Sequence, residues 1–134
     1  MKNLLIIQSI PTWVSILEAG LSKPAITETY CISITDSFDH AIDLIPREGE
    51  VIVITSEMFH DEYSNFRKSV TQKIPDKEKS ANKLAELVKA INNKAKVYTF
   101  SEFSPNGFEY LDGCILKNKH KPQESINDII KILK

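Results

Sequence analysis

The chain has 134 residues, 42% of them apolar and 26% charged, with four glycines and six prolines. That length and composition suit one ordinary domain with a sizeable core, and they exclude a linker or a low-complexity protein. The net charge of −1 hides an uneven distribution: residues 1–66 carry three basic and ten acidic groups, residues 67–96 nine basic and three acidic, and residues 97–134 five of each.

In chain order, Leu4–Ile7 read as a first strand. The run is too short for the apolar core of a signal peptide, and no small-residue cleavage site follows. No stretch is long enough to span a membrane, so a cytoplasmic protein is expected. Pro11 suits a first helical position, because its missing N–H is not needed there. The helix after it places Val14, Leu17 and Leu21 on one stripe, with Trp13 and Ile16 beside it, and ends near Gly20 and Pro24. Thr27–Ile34 read as a second strand. Asp36 or Ser37 can cap a short helix holding Phe38, Ala41, Ile42 and Ile45, stopped by Pro46.

Val51–Ile54 are continuously apolar and run into Thr55 and Ser56, the pattern of a central strand buried on both faces. A long polar region, 59–79, follows. Ser80 then caps a helix with Leu84, Leu87, Val88 and Ile91 on one face, ended by Asn92 and Asn93. Lys96–Ser101 read as a fourth strand, Ser104–Gly107 as a turn, and Cys114–Leu116 as a short fifth strand. Pro122 opens a last helix with Ile126, Ile129, Ile130 and Leu133 inward. Most lysines of the basic segment fall on or beside the Ser80 helix, so a solvated helix face is expected there. With no RNA-binding aromatic motif or recognition helix, nucleic acid is not the expected partner.

Strands alternating with helices predict a three-layer α/β sandwich over 1–134, a single domain with a five-stranded parallel sheet. The flavodoxin-like strand order 2-1-3-4-5 is expected. It puts Cys31 and Cys114 on opposite edges, too far apart for a disulfide. They show neither metal spacing nor a CxxC motif, and are expected to be small buried hydrophobes.

These elements resemble the CheY-like receiver domain of two-component response regulators over nearly the whole length. Leu5–Pro11 resembles the first strand with its acidic pair before a proline. Ile32–Ile42 resembles the second strand and helix. Val51–Met58 is similar to the strand that ends in the phospho-accepting aspartate. Val97–Ser101 resembles the strand ending in the switch hydroxyl, and Asp112–Asn118 the last strand with its lysine. The resemblance puts Gln8 and Ser9 where receivers carry magnesium-binding acids, Ser56 at the phospho-acceptor, Ser101 at the switch position and Lys117 at the phosphoryl-contacting lysine. Asn118 replaces the usual proline.

A magnesium ion needs hard oxygen ligands, mostly carboxylates. With amide and hydroxyls in their place, the resemblance implies a pseudo-receiver that cannot be phosphorylated by the ordinary route. The expected function is a non-catalytic signalling module acting by protein–protein contact, with no cofactor and no metal. Its expected partner is a protein, such as a kinase or an output-domain protein, and a homodimer is expected from the family. Two departures mark its surfaces: the insertion 59–79, and a segment before Lys117 too short for a full fourth helix. Phe103, Phe108 and Tyr110 in that segment are a candidate interaction surface, exposed or re-packed over the fourth strand.

The alternative reading is a small-molecule or anion-binding protein, with phosphate or a nucleotide as ligand, in a pocket at the carboxyl ends of the strands. A Ser56–Lys117 catalytic pair would need an oxyanion hole, and no glycine-rich turn stands at the strand ends. For the same reason a flavin or nucleotide loop after the first strand has little support. Glu57 next to Ser56 could mimic a permanent phosphoryl charge only by turning with the loop. His40, His60 and His120 match no metal motif and are expected at the surface.

Overall fold

The computed structural model describes residues 1–56, 80–102 and 109–134. Five strands, β1 (Lys2–Ile7), β2 (Tyr30–Thr35), β3 (Val51–Thr55), β4 (Lys96–Ser101) and β5 (Gly113–Leu116), form one sheet of order β2-β1-β3-β4-β5. Every neighbouring pair is parallel. Among the described residues the helices are α1 (Pro11–Gly20), α2 (Pro24–Thr27), α3 (Phe38–Asp43), α4 (Ala81–Ile91) and α5 (Pro122–Leu133). This is a flavodoxin-like α/β sandwich of the expected strand order. Between β4 and β5 no helix is present among the described residues.

The pleat sorts the apolar residues into two cores. Leu4 and Ile6 of β1, Ile54 of β3, Phe100 of β4 and Ile115 of β5 pack with Trp13, Leu17 and Leu21 and with Ile126, Ile129 and Leu133 of α5. On the other face, Leu5, Ile7, Val51, Val53 and Val97 pack with Phe38, Ala41 and Ile45 and with Leu84, Ala85 and Val88 of α4. A parallel sheet covered on both faces in this way explains the unbroken apolar runs in β1 and β3.

The helix starts follow local chemistry. Ser37 and Ser80 accept the N–H of His40 and Lys83 as N-caps. Pro11, Pro24 and Pro122 each open a helix. At the far end of α4, buried Asn92 gives its side-chain N–H groups to the carbonyls of Pro46 (2.9 Å) and Gly49 (3.1 Å) and accepts from Lys94 N–H (3.0 Å). It thereby ties the turn before β3, where Gly49 takes a φ of 91°, to the turn before β4. Another side chain sets the start of β5. Asp112 donates its N–H to Val97 O at 2.8 Å, and its carboxylate accepts Val97 N–H at 2.8 Å. Lys89 holds that carboxylate at 2.9 Å.

Three expectations are corrected. Thr27–Thr29 do not belong to β2. Pro24 presets a helical φ, and the short α2 forms first, closed by Glu28 N–H on Pro24 O. Cys31 is exposed rather than buried, since β2 is an edge strand; Cys114 is half-buried, and both are free thiols. In α1 the buried stripe is Trp13–Leu17–Leu21, at i, i+4 and i+8, while Val14 turns half-buried toward the carboxyl end of the sheet. No helix among the described residues is long and apolar enough to cross a membrane.

Candidate functional site

The site builds up from the ends of β1 and β3. Ile7 pairs with Thr55, and the pairing continues one step further, with Ser56 N–H donating to Ile7 O at 3.1 Å and Gln8 N–H donating to Thr35 O at 2.9 Å. Gln8 and Ser56 therefore stand side by side, and by alternation both follow Ile6 and Ile54 onto the α1/α5 face. Both are buried, at 2% and 8% exposure. Gln8 folds its side chain under the start of α1, where Oε1 accepts the N–H of Ile10, the residue that precedes the helix, at 3.1 Å. That bond fixes Oε1 as the acceptor end, so Nε2 is the donor end. Nε2 is buried and has no hydrogen-bond partner among the described residues, and the same holds for Thr99 Oγ1.

Lys117 reaches the same face. Its backbone N–H donates to Ser101 O at 2.8 Å. Its Nζ lies 5.3 Å from the centre of the Phe100 ring and 5.9 Å from that of Trp13. The two rings meet edge to face at 5.1 Å. Glu57 lies outside the described residues, and Glu102 is paired with Lys119 at 2.7 Å. An ammonium over two ring faces is attracted by their quadrupoles, but burial strips its water and lowers its pKa. Glu102 opposes that shift and Lys119 adds to it.

The loop carrying Lys117 is itself held. Ser125 of α5, 1% exposed, donates to Leu116 O at 3.0 Å and accepts Asn118 N–H at 2.8 Å. Asn118 Oδ1 in turn accepts the N–H groups of His120 and Lys121, just before α5. An asparagine at this position thus makes the turn through its side chain.

The five residues singled out in the sequence do not converge as a set. Gln8 and Ser56 are neighbours, with Lys117 on the same face. Ser101 follows Phe100 in β4, so its side chain alternates to the opposite face, beside Thr99. Ser9 is half-buried and lines a cleft of about 560 Å³ with Val14, Ser15, Asp36 and His40. In that cleft the Thr35 hydroxyl accepts Ser37 N–H (3.3 Å) and meets His40 Nδ1 at 3.0 Å. The hydroxyl proton is free to point at Nδ1, an arrangement that leaves the imidazole N–H on Nε2. His40 and His120 are exposed. Tyr110 is half-buried against the α3/α4 core, with its N–H on Asn82 Oδ1 at 2.9 Å, so it is re-packed rather than free. Phe103, Phe108, His60 and the segment 59–79 lie outside the described residues.

The side chains gathered here are an amide, a hydroxyl and an ammonium. They suit hydrogen-bond acceptors and negative charge, not a hard divalent cation. Among the described residues no group of three His, Cys, Asp or Glu could hold a metal ion. Sequence reading missed the Trp13–Phe100 pair beneath Lys117. The signal available was a lone tryptophan in the first turn of the first helix. No protein-family model matches the chain, and no curated protein matches it.

Proposed function

We propose that the chain is a regulatory module of the pseudo-receiver type, acting by contact with another protein and not by catalysis. One observation carries the reading: Gln8 and Ser56 stand side by side at the ends of β1 and β3, where the receiver resemblance places a metal-binding acid and the phospho-acceptor. An amide and a hydroxyl there form no acyl phosphate and neutralise no magnesium charge. The contact surface we favour is the β5 edge, where Leu116 is 52% exposed. A homodimer through this edge, a kinase or output-protein partner, and a cytoplasmic location belong to the same proposal.

The test is a ¹H–¹⁵N NMR titration with beryllofluoride, with and without magnesium. The expected result is no magnesium-dependent response at Gln8, Ser56 or Lys117. A saturable, magnesium-dependent response at those residues would sink the proposal.

A further inference from the structure

Pleat and register bring basic side chains together at the amino end of the sheet. Lys2 alternates with Leu4 and Ile6, and Lys96 with Tyr98 and Phe100, so both fall on the α1/α5 face. The register puts Ile52 of that face between Leu4 and Lys96. Lys94 stands in the turn before β4, and Lys134 follows the last residue of α5. These four lysines and Glu50 line one cleft of about 250 Å³. It lies at the end of the sheet opposite Ser56 and Lys117.

Four lysines against one glutamate leave the cleft positive. Glu50 is engaged by Lys2 at 3.2 Å. Lys96 reaches Asp112 only at 3.9 Å, and Lys89 holds that carboxylate at 2.9 Å. Among the described residues neither Lys94 nor Lys134 forms an ion pair. The same cleft has an apolar lining, with half-buried Ile52 beside Tyr30 and Leu133. The negative end of α5 would oppose an acid here, but its last carbonyls are engaged. Leu133 O accepts the Tyr30 hydroxyl at 2.8 Å, and Ile130 O accepts Lys134 N–H at 3.2 Å.

We propose that this cleft docks an acidic segment of a partner protein, with an apolar side chain against Ile52 and Leu133 and a carboxylate on either side of it among the lysines. Charge complementarity selects the acid. Lysine is a hydrated point charge on a flexible stem, so the site reads charge and leaves geometry to the apolar contact. Nucleic acid fits less well. Tyr30 supplies the ring in the lining, but Lys2 Nζ lies 5.9 Å over it and its hydroxyl is bonded, so it is not open to stacking by a base. No arginine is among the described residues that line the cleft. Exposed Glu28 and Glu48, in the turns that lead into β2 and β3, would repel a phosphate backbone running past it.

This inference goes beyond a contact at the β5 edge and does not rest on the pseudo-receiver reading, because an acidic segment can dock here whatever chemistry Gln8 and Ser56 allow. Its test uses neither beryllofluoride nor magnesium, so the two can fail separately.

A fluorescein-labelled peptide of two glutamates, one leucine and two glutamates is titrated into the full chain. Binding is followed by anisotropy and by the backbone amide signals of Lys2, Asn3, Ile52 and Lys94. Saturable binding with shifts centred on those residues, weakened by added salt, is expected. A peptide with glycine in place of the leucine should bind more weakly, and so should a thymidine oligonucleotide of equal charge. Lys94→Glu and Lys134→Glu, both at exposed positions, should each weaken binding about fivefold or more, because an attraction becomes a repulsion. Lys121→Glu makes the same charge change at the other end of the sheet and should alter affinity by less than about twofold. No saturable shift at the four amides, equal losses in Lys94→Glu and Lys121→Glu, equal binding of the glycine peptide, or tighter binding of the oligonucleotide would overturn the proposal.

Discussion

Lys117 Nζ lies 5.3 Å from the centre of the Phe100 ring, a cation seated on an aromatic face. Burial is the largest cause of its lowered pKa, with Glu102 opposing and Lys119 reinforcing. The unfolded chain therefore holds this proton more tightly than the native one. Stability rises with pH wherever the unfolded state binds more protons. For this residue the rise falls between its lowered native pKa and the ordinary 10.5.

Lys117→Met should accordingly be more stable than wild type near neutral pH. Its advantage should shrink as pH climbs toward 10.5, because wild type alone sheds the burdened proton. Paired urea unfolding curves across the alkaline range check this. An advantage that grows with pH would contradict it.

Gly20 closes α1 against α5. A Cβ there would lie 2.9 Å from Cγ1, Cγ2 and Cδ1 of Ile126, which is itself 1% exposed and has no room to retreat. Overpacking of this kind costs about 1–3 kcal/mol, against a helix-propensity gain of roughly 1 kcal/mol for alanine. Gly20→Ala should lose up to about 2 kcal/mol on balance, read from urea midpoints. Adding Ile126→Val should recover part of the loss, as touching residues couple.

Asn92 makes three hydrogen bonds to backbone from a position 3% exposed. Asn92→Ala leaves the Pro46 and Gly49 carbonyls and Lys94 N–H without it. A loss of about 2–4 kcal/mol is expected. Hydrogen exchange should show the opening centred on the turn before β3 and the start of β4. Uniform protection across both turns would refute that account.

Leu116 presents an exposed apolar side chain on the β5 edge. Leu116→Lys should change stability by less than about 0.5 kcal/mol, as exposed substitutions usually do. If the edge is the contact surface, light scattering should show self-association reduced by the same change. An oligomeric state identical in wild type and variant would remove this edge from the proposal.

Much of the architecture is legible in the sequence because local signals and global fold agree. Pro11, Ser37, Ser80 and Pro122 mark helix starts by the hydrogen bonds they make or lack. The apolar runs of β1 and β3 report burial on both faces. What was not legible depends on placement in space. Thr27–Ile34 read as one strand because they alternate loosely, yet Pro24 commits the chain to a turn of helix first. Trp13 and Phe100 lie far apart along the chain and meet only after α1 docks on β4, so no spacing foretold the aromatic seat under Lys117. Ser101 looked like a companion of Lys117, and is one through its backbone oxygen. The pleat sends its side chain to the other face.

That same pleat gives Asp112 a reach beyond its own turn. By bonding Val97 through both its main chain and its carboxylate, it clamps β5 at one position along β4. A slip of a single residue would invert every side chain that follows. Lys117 would then project toward α3 and α4, away from Trp13. The acid thus acts as a registration pin for a cation at the opposite end of the strand. The orientation of the candidate site is decided where β5 begins, well away from any ligand.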